Sequence, residues 1–112
     1  MPKKPPDPFV HACLMRLAPL GPVRARAMFG GHGIYCEDKM FALVAEGALY
    51  FKVDDQSRRA FEAVGAQPFV YMAKHRPMSL SYWRLPPEKD ADERTFLEFA
   101  GHGLAAARRK TA

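Results

Sequence analysis

Gly30-Gly31-His32-Gly33 is the segment of this chain best suited to chemistry, because consecutive glycines can turn backbone N–H groups toward a phosphate or a developing oxyanion. Its neighbours argue for a structural role. Phosphate-cradling loops run from a strand into a helix N-terminus, whereas Ile34-Tyr35-Cys36 resumes a strand's period of two, and no Gly-Lys-Ser or Gly-Lys-Thr follows. Gly31-x-Gly33 reaches Cys36 where a dinucleotide fingerprint needs its third glycine. The run reads as a bend that needs small residues and permissive backbone angles.

The other reactive side chains assemble no better. His11, Cys13, His32 and Cys36 are the natural metal-ligand set, but His11 and Cys13 stand two apart on an expected helix and so point to different sides. If extended, His32 and Cys36 share a strand face about 13 Å apart, too far to ligate one ion unless the glycines fold them together. Ser79 and Ser81 with His75 lack the Gly-x-Ser-x-Gly elbow of a serine hydrolase, and alternate serines usually line a polar sheet face. Asp54-Asp55 reads as a helix cap rather than as a catalytic carboxylate pair. No catalytic residue, metal site or cofactor is expected.

What remains is a surface. Arg24 and Arg26 share one face of a strand, and Tyr50 with Lys52, and Val70 with Met72 and Lys74, alternate with core residues on theirs. Basic and aromatic groups meeting on an open sheet could hold single-stranded nucleic acid through phosphate charge and base stacking. No RNP-type aromatic motif is present, which weighs toward a solvated or dimer-forming face. Tyr71, Tyr82 and Trp83 fit a core role equally well. The candidate interaction surface is Arg24, Arg26, Gly30, Gly31, His32, Gly33, Tyr35, Tyr50 and Lys52. A protein partner, a nucleic acid and a second copy of the chain all remain open as occupants.

The elements that must position these residues follow from composition and period. With 112 residues, 48% apolar and 26% charged, the chain has the makeup of one globular domain. That domain is expected over residues 7–112, after a Lys- and Pro-rich tail at 1–6 too polar to pack and expected to be disordered. No run approaches the roughly 20 apolar residues of a membrane span, and the N-terminus lacks a secretory apolar stretch, so a cytoplasmic location without a membrane partner is expected. Cys13 and Cys36 are too few for a disulfide scaffold and read as reduced, buried thiols. The net charge of +5 favours an anionic partner without identifying one.

Asp7 can cap a helix whose first residue is Pro8, with Val10, Cys13, Leu14 and Leu17 as its apolar stripe. Period-two patterning then predicts one strand from Val23, bent or bulged at the glycines and continuing to Glu37, followed by strands Lys39–Ala45 and Ala48–Val53. A second helix carries Ser57, Phe61 and Val64 inward, pairs Arg58 with Glu62 and stops at Gly65. Strands at Phe69–Lys74 and Met78–Leu85 precede a last helix, acidic from Glu88 to Glu93 and basic at Arg108, Arg109 and Lys110. Its inner stripe is Phe96, Phe99, Ala100, Gly103, Leu104 and Ala107. The order helix, three strands, helix, two strands, helix predicts a two-layer α+β fold: an antiparallel sheet with helices on one face.

Arg26-Ala-Met-Phe-Gly-Gly-His-Gly-Ile-Tyr35, Met40-Phe-Ala-Leu-Val44, Leu49-Tyr-Phe-Lys-Val-Asp54, Pro68-Phe-Val-Tyr71 and Met78-Ser-Leu-Ser-Tyr-Trp83 together resemble the N-terminal domain of the TfoX/Sxy competence regulators. The resemblance covers roughly residues 9–109, and its combination of motifs is far more specific than the glycines alone. It implies an α+β fold similar to secretion-chaperone-like domains, and regulation rather than catalysis. Family members promote transcription of DNA-uptake genes together with the cAMP receptor protein, so the implied partner is a transcription factor. Longer members carry a second, C-terminal helical domain, which a chain ending at Ala112 is expected to lack. The resemblance implies no catalytic residues.

Overall fold

The computed structural model describes residues 7–28, 30–73 and 76–110; the expected tail at 1–6, Phe29, and Lys74 with His75 lie outside the described residues. Helix α1 (Pro8–Leu17) begins as expected, with the Asp7 carboxylate accepting from the Phe9 N–H at 2.8 Å and Pro8 in the first turn. Val10, Cys13 and Leu17 are its buried residues, and a 3-10 turn over Ala18–Leu20 leads into the sheet.

Six strands follow: β1 (Val23–Met28), β2 (Gly31–Cys36), β3 (Lys39–Ala45), β4 (Ala48–Lys52), β5 (Gln67–Ala73) and β6 (Arg76–Arg84). Every neighbouring pair is antiparallel, in the spatial order β1-β2-β3-β4-β6-β5. Helix α2 (Arg58–Ala63) lies between β4 and β5, and α3 (Pro87–Asp90) and α4 (Glu93–Arg109) follow β6. The expected α+β fold is the observed one.

Two expectations about its elements are corrected. The single bent strand from Val23 to Glu37 is a hairpin, because Met28 pairs with Gly31 and the chain reverses between them. Gly30 sits in that turn at φ +77°, a conformation that costs an L side chain free energy and a glycine almost none. The last helix is also two. Asp92 has an extended backbone and accepts from the Thr95 N–H, which starts α4 afresh after the single turn of α3.

The core lies between the helices and one face of the sheet. Val10, Cys13 and Leu17 of α1, Phe61 of α2 and Phe96, Phe99, Ala100, Leu104 and Ala107 of α4 pack with Ile34, Cys36, Phe41, Ala42, Val44, Leu49 and Phe51 of the strands. Gly103 lets α4 approach closely: a Cβ there would stand 3.0 Å from the Phe41 carbonyl oxygen and 3.2 Å from the Phe51 Cβ. Arg16 fastens α1 to the C-terminal helices, donating to the Asp90 carboxylate at 2.8 Å and lying 3.5 Å from the Phe96 ring centroid.

The expected cap of α2 by Asp54-Asp55 is corrected: the N-cap is Ser57, without a side-chain cap bond, and Asp54 closes the turn before the helix. Its carboxylate accepts from the Gln56 and Ser57 N–H groups and also from Arg109 Nε at 2.6 Å and Nη2 at 2.8 Å, so the loop before α2 is clasped to the end of α4. The paired guanidinium, supported by the Ser57 N–H, holds this carboxyl well below the usual carboxylate range. No described helix is long and apolar enough to cross a membrane.

Candidate functional site

The helix-free face of the sheet collects most of the residues singled out from sequence. Strand register places Arg24 opposite Tyr35, Arg26 opposite Gly33 and Met28 opposite Gly31. Gly33 in turn faces Leu43, and Leu43 faces Tyr50. Both guanidinium groups lie over the Tyr35 ring, Arg24 at 5.0 Å and Arg26 at 5.9 Å from its centroid, and Arg24 also donates to the Glu37 carbonyl at 3.2 Å. A cation over an aromatic face is attracted by the ring quadrupole, so the phenol ring holds this pair of exposed charges together.

The glycines act here by having no side chain. A Cβ on Gly31 would overlap the Val44 carbonyl oxygen at 2.2 Å, so only glycine allows β2 to approach β3 this closely. Gly33 lies beneath the ends of Met28 and Met40, each about 3 Å from where its Cβ would be. Where other strands would raise side chains, β2 leaves a trough, which the ends of Met28 and Met40 fill so that Gly33 is buried.

Tyr50 and Lys52 share this face but are buried, whereas the sequence placed them on an open surface. Tyr50 packs edge-on against Phe69, ring centroids 5.0 Å apart, and Leu43 and Ala48 complete a small cluster with Met40, Ala45, Phe69 and Tyr82. Lys52 directs its ammonium to the Tyr82 ring at 5.1 Å and to Ser81 Oγ at 3.5 Å. Burial lowers its pKa, reinforced by the Lys110 charge and opposed by Asp54. Burial also pushes the Tyr82 phenol up to about 12.

His32 does not join them. It pairs with Ala27 and Val44 and stands on the helix-covered side, half-buried. Val70 likewise points away, because Phe69 and Tyr71 stack on each other, centroids 6.2 Å apart, on the helix-free side. The side chain of Met72 and all of Lys74 lie outside the description.

Sequence reasoning missed an apolar cavity of about 550 Å³ at the glycine end of this face. Met28 forms one wall and Phe69 with Tyr71 the other; Gly31, Leu43, Val44 and Ala45 make the floor, and Glu46 sits at the hairpin end. Two interruptions in register lie in the strands around it. Phe41 is an extra residue in β3, since Ile34 pairs with Ala42 and Tyr35 with Met40, and β6 carries the surplus beside β5, with residues 80–82 standing between the partners of Pro68 and Val70 where β5 has Phe69 alone. Such bulges add local twist and bend, and the sheet brings groups from its two edge strands to one cavity. The alternation of Phe69 with Tyr71 was the available signal.

Cys13 and Cys36 are buried free thiols, with burial pushing Cys13 up to about 11. Among the described residues no group of three or more His, Cys, Asp or Glu side chains could hold a metal ion.

Comparison with known proteins gives this face a family context. A family model described as the TfoX N-terminal domain matches residues 15–107, most of the chain. The chain belongs to the TfoX N-terminal domain family. It is 36% identical over 64 residues, 57% of its length, to the DNA transformation protein TfoX1 of Aliivibrio fischeri (strain ATCC 700601 / ES114). It is 33% identical over 66 residues, 59% of its length, to Protein Sxy of Escherichia coli (strain K12). These matches cover 31% and 26% of the two relatives, so this TfoX N-terminal domain corresponds to less than a third of either.

Proposed function

We propose that this TfoX N-terminal domain is a non-catalytic, cytoplasmic regulatory module that acts through protein contacts, its partner a transcription factor and its setting DNA transformation, the process named for its A. fischeri relative. The observation that carries this reading is the helix-free face, where exposed Arg24 and Arg26 over Tyr35 adjoin an apolar cavity. Charged groups beside a concave apolar patch suit macromolecular recognition. The arrangement brings together no nucleophile with a base and an oxyanion donor, which is what an enzyme reading would need.

Affinity capture from native lysate, with and without nuclease, tests the proposal. Wild-type protein captures a partner that survives nuclease and is lost from a variant carrying Arg24→Ala and Arg26→Ala, while thermal melting shows that variant to be folded. Retention of every partner by the folded variant overturns it.

Nucleic-acid binding is the second reading, favoured by the same two arginines. It requires affinity for labelled DNA or RNA that falls steeply as salt rises. Only Tyr71 among the aromatic groups of the cavity wall and its cluster is substantially exposed, so few stacking platforms support it.

A further inference from the structure

We propose that the cavity between Met28 and the Phe69–Tyr71 pair, together with Arg26 and Arg24, is a docking groove for an extended acidic protein segment carrying one large apolar side chain. This rests on the protein-contact reading and names the chemistry of the partner.

Charge decides the occupant's sign. Arg16, Arg58, Arg108 and Arg109 each pair with a carboxylate, whereas Arg24 and Arg26, like Arg59, Arg84 and Arg94, pair with none among the described residues. They are held side by side over one ring and partly exposed to solvent, a preorganised receptor for carboxylates. Glu46 stands at the opposite, hairpin end of the cavity and repels a carboxylate there. The acidic part of the segment therefore lies over Arg26 and Arg24, and only its apolar side chain reaches the cavity.

Geometry decides the spacing. Met28, Arg26 and Arg24 are successive residues on one face of β1, so they recur every two residues, at about 7 Å. An extended segment following that strand meets the cavity, then the first guanidinium, then the second, at every other position. Over Gly33 the segment meets the ends of Met28 and Met40, flexible side chains that must shift to let it lie down. At about 550 Å³ the cavity has space for the largest natural side chain.

Panning a displayed library of random dodecapeptides against the immobilised full chain tests this. Enriched peptides are expected to carry Trp, Phe, Tyr, Leu or Met with Asp or Glu two and four residues away. Their affinity, read by fluorescence anisotropy, falls at least tenfold in the Arg24→Ala, Arg26→Ala double variant and in Ala45→Trp, which fills the cavity. It is unchanged in Met15→Ala, on exposed α1 surface. Should Ala45→Trp fail to fold, Tyr71→Ala removes one exposed wall instead.

Failure to enrich any peptide, enrichment without acidic residues, or binding that survives filling of the cavity overturns the groove. A dimer in sedimentation that Ala45→Trp dissociates also overturns it, with a second copy as occupant, as does labelled single-stranded DNA binding lost in the same variant. If the captured protein partner needs Arg24 and Arg26 but tolerates Ala45→Trp, the groove fails while the protein-contact reading stands. If the partner tolerates the arginine double variant as well, both fail.

Discussion

The two faces of the sheet are made from alternate residues of the same strands, yet they exclude water by different means. The helix-covered face is closed by other elements: Phe41, Phe51, Phe61, Phe96, Leu17 and Ile34 are almost fully buried in one continuous core. The other face has no helix over it among the described residues and buries Leu43, Ala48 and Tyr50 with side chains of the sheet itself, Phe69 and Tyr82 among them. A face closed by helices is committed to stability, whereas a face closed by its own side chains still has a cavity to offer.

The largest effect that sharpens this contrast comes from truncating one residue on each side. Phe51→Ala should cost about 3–5 kcal/mol in urea unfolding, and Leu43→Ala, beside a cavity that already exists, about 2 kcal/mol. Equal losses would mean that the two faces are equally important to the fold. Next come the two glycines of the trough. Gly31→Ala must push a Cβ into the Val44 carbonyl and should cost about 3 kcal/mol, while Gly33→Ala meets only flexible methionine ends and should stay below about 1 kcal/mol.

Smaller effects separate the faces by pH. Asp54 belongs to the helix-covered side, and its pKa is lower folded than unfolded. Its contribution is whole above the ordinary carboxylate value and is lost as pH falls below about 4. Asp54→Asn should therefore lower the melting temperature at pH 7 and flatten its decline in acid. Tyr82, on the helix-free side, has the opposite displacement. Its contribution is whole below pH about 10 and is lost as pH rises toward its folded value of about 12. Tyr82→Phe should flatten the alkaline limb and remove a late step from the ultraviolet titration of the phenols.

The helix-covered side was also the more legible in sequence. The stripe Phe96, Phe99, Ala100, Gly103, Leu104 and Ala107 is buried as its period predicts, and Asp7 with Pro8 marks the start of α1. Helical periodicity is a local signal that packing against a sheet reinforces. The glycine segment was harder. Its break in alternation was visible, but a bulge and a two-residue reversal both break period two, and only the Met28–Gly31 pairing tells them apart. The cavity was not legible because its lining comes from β1, β2, β3 and β5, which only the pairing of the sheet brings together. For Tyr50 and Lys52, alternation gave the face correctly, but their burial comes from β5 and β6, far along the chain.

Pro68 has an effect that reaches beyond the single molecule. It lies in β5, the outermost strand on its side, where an imino nitrogen has no hydrogen to offer and the register with β6 shifts between Pro68 and Val70. A foreign chain trying to zip along that margin would meet a missing donor and then a misaligned ladder. Growth into fibres is discouraged at that border, while the opposite border, beside Arg24 and Arg26, keeps an unbroken register.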